Sequence, residues 1–365
     1  MDRGGMRIRS IAVSAERFPL TRPYAIAGQE PVTEVENVVV RIETEDGLTG
    51  FGAGSPGEHV TGETNESCRA ALAPGNLEWL RGRDVRTLRA LCRESSERFP
   101  LTPAARAAVD IALHDLLGQR AGLPLADVLG RAHDALPTSI TIGIKSLQET
   151  LAEADEYLAR GFRVLKVKIG DALEKDIERL EKLREHVGRR AVIRVDANIG
   201  YTIEQTERFF ERTAPLDIEF VEQPVTRVTF DLVRGLPAAW RRRIAADESL
   251  HGEKDALDLA GPPGDPACGI YNIKLMKCGG VRAAGRIAAV AETAGIALMW
   301  GCMDESRISI AAALHAAFAW PATRYLDLDG SLDLARDVVE GGFVLEAGVL
   351  RTTSEPGLGV RRVEG

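Results

Sequence analysis

From Ile8 apolar and polar residues alternate, with Ile8, Ile11 and Val13 among the apolar positions. Asn37 to Ile42 repeats the pattern, followed by the turn signal Glu45-Asp46-Gly47 and another apolar stretch, which predicts antiparallel strands. Thr102-Pro103 can then cap and open a helix, because Ala105, Ala108, Ile111, Ala112 and Leu116 recur at helical spacing until the chain reaches Gly122. Residues 1–130 therefore read as an α+β unit. Beyond them, short β-rich runs are separated by amphipathic helical stretches: Ser139–Ile144, Val164–Ile169, Val192–Asp196, Ile218–Glu222, Ile244–Asp247, Ile270–Leu275, Ile296–Trp300 and Tyr325–Asp329. Eight strands at a near-constant beat predict a closed (β/α)8-type barrel over residues 131–335, with an open α/β sheet as the alternative. The segment 336–365 is expected to pack back on the front unit.

Composition narrows the class. The chain has 365 residues, Lys+Arg 46 against Asp+Glu 54, and a formal charge of -8, so no broad basic field invites nucleic acid or anionic lipid. No apolar run approaches the ~20 residues of a membrane span, and the first twenty residues carry Asp2, Arg3, Arg7, Arg9, Glu16 and Arg17 where a secretory signal needs a continuous apolar centre. A cytoplasmic location is expected. Cys68, Cys92, Cys268, Cys278 and Cys302 are widely spaced, without a C-x-x-C pair, and read as free thiols.

A polar residue at the carboxyl end of a barrel strand points into the mouth, where barrel enzymes work, or toward the helices. In strand order these ends carry Thr141, Lys166 and Lys168, Asp196, Glu222, Asp247, then Asn272 and Lys274; Asp304 follows the seventh strand, and Asp327 and Asp329 lie on the eighth. Asp196, Glu222 and Asp247 stand 26 and 25 residues apart on consecutive strands, a convergence that is costly without a cation. Oxygen ligands without His or Cys indicate Mg2+, with Mn2+ as a substitute. Lys168 and Lys274, on strands two and six, stand across the ring and can approach one substrate carbon from both faces. An α-proton could pass between them, its departure leaving an enediolate stabilised by the ion. Lys166 is a positive neighbour that would lower the pKa of Lys168, or it simply neutralises the carboxylates. Asp327 and Asp329 suit a substrate ammonium, and a carboxylate at one end with an ammonium at the other describes a dipeptide.

Taken together, Lys166-Val-Lys168, Asp196-Ala-Asn198, Val221-Glu222-Gln223-Pro224, Ala246-Asp247-Glu248-Ser249 and the run from Asn272 through Lys274 to Gly280 resemble the enolase superfamily, muconate-lactonising subgroup, over almost the whole chain. Asp327-Leu-Asp329 resembles the dipeptide epimerases within it. The resemblance implies a capping domain over a modified (β/α)7β barrel, Mg2+ held by Asp196, Glu222 and Asp247, and Lys168 and Lys274 as acid/base catalysts. It also implies that Asp327 and Asp329 bind the α-ammonium. Asn198, Glu248 and Asn272 are expected to support the ligands, and Lys166 and Thr141 to border the substrate.

In such enzymes loops of the capping domain close the mouth and set specificity, here around residues 22–33 and 54–64. Relatives acting on L-Ala-D/L-Glu often place an arginine in the first loop, yet Tyr24 to Thr33 has no basic residue. From Ala27 to Ser67 the only Lys or Arg is Arg41, against Glu30, Glu34, Glu36, Glu58 and Glu63 among others, and Asp304 overlooks the mouth. An acidic lid predicts dipeptides bearing Lys or Arg; a solvated acidic surface is the competing explanation. A cycloisomerase or an o-succinylbenzoate synthase would have no use for an ammonium site. An even-numbered homo-oligomer is expected from symmetry alone.

Overall fold

The computed structural model describes residues 6–24 and 32–363. Strands Ile8–Tyr24, Val32–Thr44 and Thr49–Gly54 form an antiparallel sheet in that order, as the alternation predicts. Its buried face, with Val38, Val40 and Ile42, packs on Ala105, Ala108, Ala112 and Leu116 of helix Pro103–Ala121. The third strand reads Thr-Gly-Phe-Gly-Ala-Gly, and the reason is steric. A Cβ on Gly50, Gly52 or Gly54 would lie 2.4, 1.8 or 2.5 Å from a carbonyl oxygen of that helix. Pro103 occupies the first turn as expected, but the Thr102 side chain makes no cap. Glu63 replaces it, accepting from the amides of Ala104 at 2.7 Å and Ala105 at 3.3 Å.

The eight parallel strands are Ile140–Ile142, Val164–Lys168, Val192–Asp196, Ile218–Glu222, Ile244–Ala246, Ile270–Ile273, Ala297–Gly301 and Thr323–Asp327. They pair in sequence order around one sheet. The ring closes where Thr138 bridges Leu326 and the Ser139 amide donates to the Leu326 carbonyl at 3.0 Å, which an open sheet would not do. Helices connect successive strands, while among the described residues none follows the eighth, giving a (β/α)7β barrel under an α+β capping unit. No helix of the described residues is long and apolar enough to cross a membrane.

Buried aspartates of the capping helix help join the layers. Asp110, on the capping helix, accepts from the Val281 amide at 2.6 Å, where barrel helix Val281–Ala294 begins. Gly280 permits this approach: its φ is +111°, and a Cβ there would sit 2.4 Å from Asp110 Oδ1. The last described segment contacts both layers, through Leu358 N to Asp115 Oδ1 at 2.8 Å and Arg307 N to Asp337 Oδ2 at 2.7 Å.

Candidate active site

Strand register sets the first row of the site. Lys168 pairs with Asp196, Asp196 with Glu222, and Glu222 with Ala245, so these residues share one level at the barrel mouth. Asp247 follows two positions beyond Ala245, and Lys274 follows the sixth strand. The Lys168 ammonium donates to Asp196 Oδ2 at 2.7 Å and to Asn198 Oδ1 at 2.9 Å. Lys274 donates to Asp247 Oδ2 at 2.8 Å. Each lysine therefore flanks one end of the row of three buried carboxylates.

The turn after the third strand is shaped for this purpose. Asn198 has φ +40°, its amide donates to Asp196 Oδ1 at 3.0 Å, and its side chain reaches Glu248 at 3.3 Å. Strain of this kind persists where the surroundings over-determine it. Asn272 donates to Glu222 Oε1 at 2.7 Å. The three residues expected to support the carboxylates thus lie against them or against their turn.

Lys166 is buried beneath the row. Its Nζ lies 2.7 Å from Asp327, 2.8 Å from Glu222 and 3.1 Å from Asp196, and although burial opposes it, these carboxylates raise its pKa well above the lysine range. Its ammonium is occupied by protein acceptors. Asp327 is similarly engaged, with Ser139 Oγ at 2.6 Å on its other oxygen. Asp329 accepts from the Thr141 amide at 2.9 Å through Oδ2, and is the more open of the two.

The charges do not balance. Asp196, Glu222, Asp247, Glu248, Asp327 and Asp329 face Lys166, Lys168, Lys274 and Lys277, a formal excess of two negative charges. Burial and the neighbouring Asp196 push the Glu222 carboxyl up to about 8, while burial and Asp247 push Glu248 up to about 7. Burial and Asp327 likewise push Asp329 up to about 7. By contrast, against the effect of burial, Lys168 and Lys166 hold Asp196 at about 2. Glu248 Oε2 and Asn272 Oδ1 are buried without a hydrogen bond, while Glu222 Oε2 faces the Lys166 ammonium at 2.8 Å. A divalent cation among hard oxygen donors would cancel the excess and relieve these orphaned atoms, so the residues fit Mg2+ or Mn2+.

The lid acids fare differently. Glu30 lies outside the described residues. Glu36 pairs with Arg17 and Arg69, and Glu34 with Arg17, bases supplied from outside the acidic window. Glu63 is 1% exposed and is the helix cap described above, not a substrate-facing acid. Glu58 is exposed at the start of the short helix Glu58–Thr61. Asp304 is half-buried, and its carbonyl accepts from Asn37 Nδ2 at 3.3 Å and Ser55 Oγ at 3.1 Å. Sequence reasoning gave no role to Asn37, Gln223, Ser139, Lys277 or Glu305, a buried carboxyl raised by burial to about 7 beside Asp304.

Comparison with known proteins agrees with this arrangement. The mandelate racemase / muconate lactonizing enzyme N-terminal domain model matches residues 8–130, and the enolase C-terminal domain-like model matches residues 149–364. The chain belongs to this family. Among its members, an L-Lys-D/L-Arg epimerase of Methylococcus capsulatus is 63% identical over 97% of this chain and 99% of that protein. The crystal structure of the dipeptide epimerase from that organism, complexed with Mg and the dipeptide L-Arg-D-Lys, superposes with a TM-score of 0.94 at 63% identity, covering 97% of this chain and 99% of that one. The more distant L-Ala-D/L-Glu epimerase of Bacillus subtilis is 33% identical over 97% of each.

Proposed function

We propose that this family member is a Mg2+-dependent dipeptide epimerase acting on dipeptides with Lys or Arg side chains, inverting the carboxyl-terminal residue. The observation that carries the reading is the flanking of three buried carboxylates by Lys168 and Lys274 at 2.7 and 2.8 Å. The likeness to an L-Lys-D/L-Arg epimerase at 63% identity supports the cationic preference.

In this reading Asp196, Glu222 and Asp247 would hold the ion. When bound, Mg2+ would draw charge from the substrate carboxylate, lowering the cost of losing the adjacent proton. Lys168 and Lys274 then divide the work: one, as the neutral amine, takes the α-proton, and the other, as the ammonium, returns a proton to the opposite face. Asp329, with Asp327 behind it, binds the α-ammonium. Asp304 and Glu58 favour the cationic side chain, with Glu30 a further lid candidate, while Thr141 borders the substrate and Lys166, expected beside it, lies beneath the carboxylates with its ammonium held by them. The division into a capping unit at 1–130, a barrel at 131–335 and a terminal segment at 336–365 belongs to the same reading. The free state of all five cysteines suits a reducing compartment and supports a cytoplasmic location; an even-numbered homo-oligomer completes the proposal.

Deuterium incorporation from D2O across a library of L,L-dipeptides tests the specificity, with Xaa-Lys and Xaa-Arg expected to exchange fastest. Preference for Xaa-Glu would remove the cationic reading. Lys168→Ala and Lys274→Ala should each abolish epimerisation while leaving exchange from one face; normal epimerisation by both would remove the two-base assignment.

A further inference from the structure

Lys277 lies three residues beyond Lys274 on the short helix Leu275–Cys278, with its side chain 1% exposed. An ammonium has three protons to give, and each finds a protein acceptor. One goes to Asp247 Oδ1 in a close hydrogen bond, one to the Asp247 carbonyl at 2.6 Å and one to the Asn272 carbonyl at 3.2 Å. With its donors saturated by protein and its nitrogen closed to solvent, Lys277 has no proton for a substrate.

Its acceptors are more informative than its burial. Two belong to the same residue, so the ammonium closes a ring through the carboxylate and the main chain of Asp247 and fixes the side-chain torsion. That leaves Oδ2, the oxygen beside Lys274 at 2.8 Å, turned toward the site. The third acceptor belongs to Asn272, whose side chain holds Glu222 at 2.7 Å. Gln223 secures the remaining side of Asp247, accepting from its amide at 2.9 Å and from Ser249 N at 3.1 Å. A lysine needed only for neutralisation would require none of the carbonyl contacts.

We infer that Lys277 is a positioning residue that presents Asp247 Oδ2 to the divalent ion and ties the fifth strand's carboxylate to the residue supporting the fourth's. The inference rests on the reading of Asp247 as a metal ligand. Groups that orient metal ligands typically contribute about 10–100-fold to metal affinity or activity.

The test is Mn2+ binding to the substrate-free protein, followed by electron paramagnetic resonance, for the wild type and for Lys277→Met, Lys277→Gln and Asp247→Asn, with circular dichroism reporting the folded state. Folded Lys277→Met should bind Mn2+ about 10–100-fold more weakly. Lys277→Gln, which keeps two N–H donors, should recover part of that loss. Epimerisation by Lys277→Met at saturating Mg2+ should return to within about threefold of the wild-type kcat, with the defect confined to the Mg2+ concentration required. Wild-type Mn2+ affinity in Lys277→Met, together with weakened Asp247→Asn, would overturn the inference alone. Wild-type affinity in Asp247→Asn would instead remove the ligand reading beneath it. Unfolding of both Lys277 variants would make the residue a determinant of fold stability and would also overturn the inference.

Discussion

Replacing Glu63 separates two explanations of an acidic lid. Its carboxylate, 1% exposed, accepts from the first two free amides of helix Pro103–Ala121 at 2.7 and 3.3 Å. Glu63→Leu removes both acceptors and leaves the amides buried. Each unpaired buried donor costs about 1–3 kcal/mol, and the second bond is long, so the loss should total about 2–4 kcal/mol. Glu63→Gln keeps one good acceptor and loses the negative charge at the helix N-terminus, for a cost of about 1–2 kcal/mol. Urea denaturation followed by circular dichroism reads both changes as shifts in midpoint. Kinetics on Lys-bearing and Glu-bearing dipeptides read the alternative, because a cap should leave the ratio of their kcat/KM values unaltered. A Glu63→Leu variant as stable as wild type, or one whose substrate ratio moves about tenfold, would refute the capping role.

Two further outcomes follow from the packing. Gly280→Ala should destabilise by more than about 2 kcal/mol, since it combines a disfavoured backbone with a collision against Asp110; Gly75→Ala, with nothing within 4 Å of the added carbon, is the control, and thermal denaturation compares them. His315 is buried with Nδ1 accepting from the Ala126 amide at 3.0 Å, and burial lowers its pKa from 6.5 to about 4. The native protein then binds fewer protons than the unfolded chain between those values, so this contribution is complete above pH about 6.5 and is lost as pH falls toward 4. Its ceiling is about 3 kcal/mol. His315→Gln should flatten the stability profile in that window relative to wild type; an unchanged slope would show that His315 does not contribute to it.

The barrel was legible because each strand repeats the same demand for a short β-rich run, and the carboxylates because register carries them to one level. Asp196 and Glu222 need only the strand ends to be placed correctly. Lys277 falls inside the run from Asn272 to Gly280 yet shows no role in the sequence, because its acceptors lie 30 residues back at Asp247 and five back at Asn272. Glu36 and Glu63 misled for a related reason. The bases and amides that occupy them come from Arg17, Arg69 and residues 104–105, and a window along the chain records charge without recording who stands across from it. Thr102 was a plausible cap by local rules, yet a residue 41 positions from Ala104 fills that place. Gln223, with φ +35° and both its oxygen and its nitrogen engaged, is the same lesson inside a recognisable motif.

Asn37 sits fully buried on the capping sheet, its amide nitrogen on Asp304 O and Ser55 Oγ at 3.3 Å each and its oxygen receiving Ser306 N at 2.8 Å. The capping sheet and the loop after the seventh strand are thereby tied at a buried residue, with Ser55 Oγ adding a second bond to Asp304 O at 3.1 Å. Grafting residues 54–64 alone from a relative would therefore disturb the backbone at 304–306 through the Ser55 bond to Asp304 O, and a swap of that loop should succeed together with 304–306 or not at all.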